Sequence, residues 1–177
     1  MNTANNKRKK ESQLKIERIF LELIQTREIE EISVTDICKE AGLNRTTFYS
    51  NYIDIYDLAD KIRQKLEDDV MNLYMEDRDN KHNSTDFLKL LKHIYENQIF
   101  YNTYFKLGFD KSSLFNEYDY KLAAKLFNDK HIDYHIEFFK AGFNAILKKW
   151  LYSGCKESPE EVFEIIQSEY KKDLNLI

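Results

Sequence analysis

Helix breakers are almost missing from this chain, which has one proline and four glycines in 177 residues. An all-β protein needs Gly, Pro or Asn at many tight turns, so this scarcity points to an all-α fold. The length suits one large domain or two small ones, with enough chain to bury a core. A hydrophobic content of 42% with 33% charged residues is the balance of a soluble globular protein rather than a disordered one. No run of 18 apolar residues is present, so no membrane span and no membrane partner is expected. The opening MNTANNKRKKESQ lacks the apolar stretch of a secretory signal, and two cysteines are too few for a disulfide framework. The chain is expected to be helical, reduced and cytoplasmic.

The net charge of −4 counts against nucleic acid only if it is spread evenly, and it is not. Residues 1–56 hold nine Lys/Arg against nine Asp/Glu, while 57–177 hold eighteen against twenty-two. The neutral front also carries the run Lys7-Arg8-Lys9-Lys10, which is either a solvated, frayed terminus or an arm that touches phosphates. Twenty of the 25 aromatic residues lie after position 56, nine of them from Tyr95 to Tyr120. Two devices are therefore expected: a small polar-surfaced head, 1–56, and a larger aromatic body, 57–177.

Apolar spacing places about nine helices. Ile16, Ile19, Phe20, Leu23 and Ile24 form one face of a first helix that ends near Arg27. Ser33, with Asp36 three residues on, caps a short helix over about 34–40. Gly42 breaks it, and Asn44 caps another through about Ser50. Asp54 opens a long helix carrying Ile55, Leu58, Ile62, Leu66, Val70 and Leu73. Asn83-Ser84 opens the next, with Phe87, Leu90, Leu91, Ile94 and Tyr95 facing in. Helices over about 99–107, 113–128 and 132–153 follow. In the last helix Ser158 is the cap, the single proline, Pro159, takes the first helical position and Glu161 the third, with Val162, Ile165, Ile166 and Tyr170 on its stripe.

Two short helices around a glycine turn make a helix-turn-helix pattern. Val34, Ile37, Ala41, Leu43 and Phe48 are spaced to pack the pair, which leaves Arg45, Thr46, Thr47, Tyr49, Ser50 and Asn51 pointing outward. That chemistry suits DNA. A recognition helix offers its N-terminal residues to base edges, Arg45 can fork onto guanine, and hydroxyls can bond phosphate. A capped helical hairpin is also common in all-α proteins without any such role.

Residues 12–60 resemble the head of TetR/AcrR-type bacterial transcription regulators. The segment Val34-Thr35-Asp36-Ile37-Cys38-Lys39-Glu40-Ala41-Gly42-Leu43-Asn44-Arg45-Thr46-Thr47-Phe48-Tyr49-Ser50-Asn51-Tyr52 matches their pattern in register at its hydrophobic, Gly, cap and aromatic positions. The resemblance implies DNA contacts at Thr35, Asn44, Arg45, Thr46, Thr47, Tyr49, Ser50 and Asn51. One departure is Ile55, where the family often has a phosphate-holding Lys at the start of the fourth helix. Gly142 to Ile166 looks like the last two helices of a subgroup of these regulators. That likeness implies a four-helix homodimer interface burying Phe139, Phe143, Ile146, Trp150, Val162 and Ile166.

In the body, aromatic residues at helical spacing are ordinarily core, but the resemblance implies a pocket for a small hydrophobic or aromatic ligand. His93, Tyr101, Tyr104, Phe105, Tyr120 and His135 are the candidates for its lining. His131 and His135 stand four apart with no Cys or third His nearby, so capping or packing is favoured and no metal is expected. Cys38 reads as a small packing residue, and Cys155, after a helix-ending glycine, as a thiol open to solvent. No phosphate loop, Cys-x-x-Cys or serine elbow is present, so neither a cofactor nor an enzyme is expected. The function implied is a homodimeric repressor, released from a palindromic operator on double-stranded DNA by a small molecule. The alternative is an activator or coactivator whose body docks a protein.

Overall fold

A computed structural model describes residues 4–75, 84–109 and 130–174, with side chains over 6–72, 87–109 and 130–169. The chain forms two compact units, 1–66 and 67–177. Eight α-helices and one short 3-10 turn make up the described secondary structure, and no strand occurs among these residues.

The first unit contains α1 (Ala4–Ile24), a 3-10 turn (Ile29–Glu31), α2 (Val34–Ala41), α3 (Arg45–Tyr49) and the start of α4 (Ile55–Met75). The stripe on α1 is buried as its spacing requires, with Ile16, Phe20 and Ile24 fully enclosed. It packs on α2, and α2 packs on α3. Each large apolar side chain removed from water contributes about 1.5–3 kcal/mol. Helix α1 stops at Ile24 rather than near Arg27. The Thr26 and Arg27 amides both donate to the Leu23 carbonyl at 3.1 Å, and the Thr26 hydroxyl reaches the same oxygen, which tightens the last turn. The 3-10 turn after it is closed by Glu28 and Glu31 acting as a reciprocal cap. At its other end α1 begins at Ala4, so Lys7–Lys10 lie on regular helix rather than on a frayed tail.

The second unit contains α5 (Ser84–Glu96), α6 (Gln98–Lys106), α7 (Ile132–Tyr152) and α8 (Pro159–Leu174). Helix α5 packs on α8, and α6 on α7. The break between α5 and α6 is one residue wide, and there Asn97 Nδ2 donates to the His93 carbonyl at 2.9 Å, satisfying the end of α5 where α6 restarts. Gly154 ends α7 in the left-handed conformation, φ 78°, with Cys155 and Gly154 amides donating to Trp150 and Leu151 carbonyls at 2.9 Å. Ser158 and Glu161 then cap α8 reciprocally, as expected, and Pro159 is its first residue.

Several details differ from expectation. Tyr95 is half-exposed, stacked on Trp150 at 6.2 Å, instead of facing in. Ile165 is exposed beside buried Val162 and Ile166. Cys155 is buried rather than open, because the turn after Gly154 folds it back, and burial pushes its thiol up to about 11. The helix expected over 113–128 lies outside the described residues.

Candidate nucleic-acid interface

Ser33 accepts from the Asp36 amide at 3.1 Å while the Asp36 carboxylate accepts from the Ser33 amide and hydroxyl. These bonds fix where α2 begins and hold the Asp36 carboxyl below its ordinary value. At the other end Gly42 adopts φ 66°, and the Leu43 amide returns to the Cys38 carbonyl at 2.9 Å. That stop turns the chain within two residues, so Asn44 can start α3 at once. A side chain at position 42 would be strained by the positive φ, although the space there is open.

Helix α3 has five residues, too few to be stable alone. Two features hold it. Asn44 Oδ1 accepts from the Thr47 amide at 2.7 Å and from its hydroxyl at 2.9 Å. Phe48 is fully buried, edge-on to Tyr49 and tilted against Tyr52. Tyr52 is buried in turn, with its hydroxyl donating to Glu17 of α1, and burial together with Glu17 pushes its titration up.

With Phe48 pinned inward, the rest of α3 faces solvent. Thr35, Asn44, Arg45, Thr46, Tyr49 and Ser50 are exposed, and Thr47 and Asn51 are partly so. Arg45 Nη2 donates to the Tyr49 hydroxyl at 3.3 Å, and its Cζ lies 5.8 Å from the centre of the Tyr49 ring. This pair aims the guanidinium along the exposed face and favours its charged form. The residues differ in how free they are. Ser50 Oγ and Asn51 Nδ2 each donate to the Thr47 carbonyl at 2.8 Å, so both serve the end of α3. Asn44 and Thr47 are likewise committed to each other. Arg45, Thr46, Tyr49 and Thr35 are therefore exposed side chains of α2 and α3 that are not spent on holding α3.

The start of α4 is closed by carboxylates. Asp54 accepts from the Asp57 amide at 2.8 Å, and Asp57 accepts from the Ile53 amide at 2.9 Å. Lys61 donates to Asp57 at 2.8 Å and to the Asn51 carbonyl at 3.0 Å, and it holds the Asp57 carboxyl low. Beside this turn stand two exposed apolar residues that the sequence reasoning missed, Ile53 at 78% and Tyr56 at 58% exposure. Their signal was present: both fall off the stripe set by Ile55, Leu58 and Ile62.

In the second unit, Tyr101, Tyr104 and Phe105 are buried on α6. His93 Nδ1 meets the Tyr101 hydroxyl at 2.8 Å, and burial lowers the His93 pKa. Tyr104 contacts Phe105 and Phe109 edge-on. His135 is partly buried on α7, and Tyr120 lies outside the described residues. Among the described residues no group of His, Cys, Asp or Glu is placed to hold a metal ion. The residues expected at a dimer interface all lie on α7 and α8. Phe143, Trp150, Val162 and Ile166 are buried within the chain's own unit, while Phe139 and Ile146 are partly buried. Phe87 takes up Phe139 and Phe143 edge-on, and Trp150 Nε1 donates to the Glu157 carbonyl at 2.9 Å. Among the described residues, the large apolar side chains left outward on α7 and α8 are Tyr134, Phe138, Tyr152 and Ile165.

Comparison with known proteins bears on both units. Residues 81–169 match a TetR family described as "Transcriptional regulator C-terminal region". The "HTH-type dhaKLM operon transcriptional activator DhaS" of Lactococcus lactis subsp. lactis (strain IL1403) is 30% identical over 122 residues. That match covers 68% of this chain and 64% of the relative, so the chain spans under two-thirds of the length of this curated relative. Two solved structures share the fold. A TetR transcriptional regulator from Streptococcus agalactiae 2603V superposes with a TM-score of 0.67 at 23% identity, covering 93% of this chain and 96% of that one. A "Dihydroxyacetone kinase operon activator DhaS" does so with a TM-score of 0.58 at 23% identity, covering 94% and 97%. No described helix is long and apolar enough to cross a membrane.

Proposed function

The chain belongs to the TetR family of transcriptional regulators, and we propose that it controls transcription by binding double-stranded DNA through α3. The observation that carries this is the α3 surface: Phe48 and the Asn44 cap hold a short helix so that Arg45, Thr46 and Tyr49 stand outward together. Arg45 reads a guanine edge in the major groove, Thr46 meets thymine methyl or phosphate, and Thr35 meets phosphate from the start of α2. The head, 1–56, is the reading part, and the body, 57–177, the regulatory and dimerising part. It works in the cytoplasm and catalyses no reaction.

Two copies pair through α7 and α8, using the outward Phe138, Tyr134 and Ile165 rather than residues already packed within one chain. Paired heads about 34–36 Å apart fit a palindromic operator. A small hydrophobic or aromatic ligand bound among the body's aromatic residues shifts the population towards a spacing that releases DNA, which makes the protein a repressor. A second reading is favoured by two similar proteins that are both named as operon activators: the body engages a protein partner and transcription is activated.

Selection from a random duplex library tests the reading. Enrichment of palindromes with half-sites one helical turn apart is the expected result. Enrichment of single, unpaired sites overturns the dimer, and no enrichment overturns DNA reading. Reporter activity with the gene deleted gives the sign: a rise marks a repressor and a fall an activator.

A further inference from the structure

Among the cations of the first unit, two sets of four stand in contrast. Arg18, Lys61, Arg63 and Lys65 are each held by a carboxylate, at 3.0, 2.8, 2.7 and 3.1 Å. Lys7, Arg8, Lys9 and Lys10 are different. All four are exposed on the first turns of α1, and none makes an ion pair among the described residues. Successive helical residues are rotated by roughly 100°, so four in a row ring the helix end instead of lining one face. That is not the pattern of an amphipathic face docking on a partner helix.

The position itself calls for anions. The first turn of α1 holds no acidic residue, so four positive charges add to the positive end of the helix dipole. Elsewhere in the unit the exposed Lys15 and Lys39 stand singly on α1 and α2, and the start of α4 offers no anchor for phosphate. Asp54 and Asp57 occupy the start of α4, and Lys61 is spent on Asp57 and Asn51. A protein that reads DNA with a head of zero net charge must gain its backbone affinity locally, and a cationic helix end releases condensed counterions when it meets phosphates.

We infer that Lys7, Arg8, Lys9 and Lys10 form a second DNA contact, a cationic helix end that binds the phosphate backbone independently of base reading by α3. This rests on the DNA-binding function proposed above. The contact is indifferent to sequence, so it governs affinity for any duplex and the salt dependence of binding.

The test uses the full chain and a labelled duplex of roughly 30 base pairs of arbitrary sequence, titrated between about 50 and 200 mM salt. The variant changes Lys7, Arg8, Lys9 and Lys10 together to Gln, a residue that keeps helix propensity while removing charge. Each lost phosphate contact lowers the slope of log K against log salt by about 0.9, so four lower it by about 3.6. A fall of about two or more, with unchanged thermal unfolding, is the expected result. A smaller fall overturns the inference while leaving α3 reading intact. If the unaltered protein fails to bind the duplex at the lowest salt, DNA binding itself is overturned and the arm with it.

Discussion

Helices α3 and α6 both depend on aromatic residues, and they use them in opposite ways. On α3 one ring, Phe48, goes inward while Arg45, Thr46 and Tyr49 are displayed. On α6 Tyr101, Tyr104 and Phe105 all go inward, and the Tyr101 hydroxyl is satisfied by His93. A helix of five residues cannot carry a core, so its caps and a single anchor hold it as a platform for polar groups. A helix of nine residues packed on α7 can enclose bulk, with a polar tip that survives burial by hydrogen bonding. In the function proposed above, contact with DNA is assigned to the first kind of surface and ligand sensing to the second.

This contrast can be broken at its anchor. Phe48→Ala empties the fully buried site under α3 and should destabilise the head by about 3–5 kcal/mol, with DNA binding lost alongside. Calorimetry with a binding assay checks it. Retained binding would mean that α3 is not held by Phe48. On α6 the matching probe is milder. Tyr101→Phe keeps the ring and removes the hydroxyl, leaving His93 Nδ1 without that partner at a cost of about 0.5–1.5 kcal/mol. Duplex affinity should not move, and a change in DNA binding as large as that in stability would blur the distinction between display and storage.

The smallest expected effect is a pH dependence in the second unit. Burial lowers the folded-state pKa of His93, against the opposing pull of Asp69 and Glu96. The unfolded chain therefore takes up the proton first as pH falls. The contribution of His93 is complete above the ordinary histidine value of about 6.5 and is lost as pH drops from there through the lowered folded value. Thermal unfolding followed from pH 8 to 5 should show this fall, and His93→Gln should flatten it. An equal slope in the variant would assign the effect elsewhere.

What the sequence made legible was local. Ser33, Gly42, Asn44, Asp54 and Ser158 act where caps and stops were expected, because a cap involves only three or four neighbouring residues. The exposed face of α3 followed from the same rules once Phe48 was assigned inward. Choices between competing apolar faces were not legible. Helix α7 carries Tyr134, Phe138, Phe139, Phe143, Ile146 and Trp150 around much of its circumference, so spacing alone cannot select the side that packs. Phe87 of α5 and the Glu157 carbonyl settle it by taking Phe139, Phe143 and Trp150 into the unit. Tyr95 was misjudged for the same reason, since its stacking partner Trp150 lies far away in the chain, whereas Cys155 is folded back by its own turn. The Glu28–Glu31 turn was a different kind of miss, a local cap without the usual Ser or Asp to mark it.

The decisive measurement is the affinity of the unaltered protein and of Arg45→Ala for a selected duplex and for a scrambled one of equal length. Arg45 reading a guanine predicts a loss of about 1–3 kcal/mol on the selected site, roughly 5- to 150-fold, with little change on the scrambled duplex and none in thermal stability. If Arg45→Ala keeps full discrimination between the two duplexes, α3 is not the element that reads DNA.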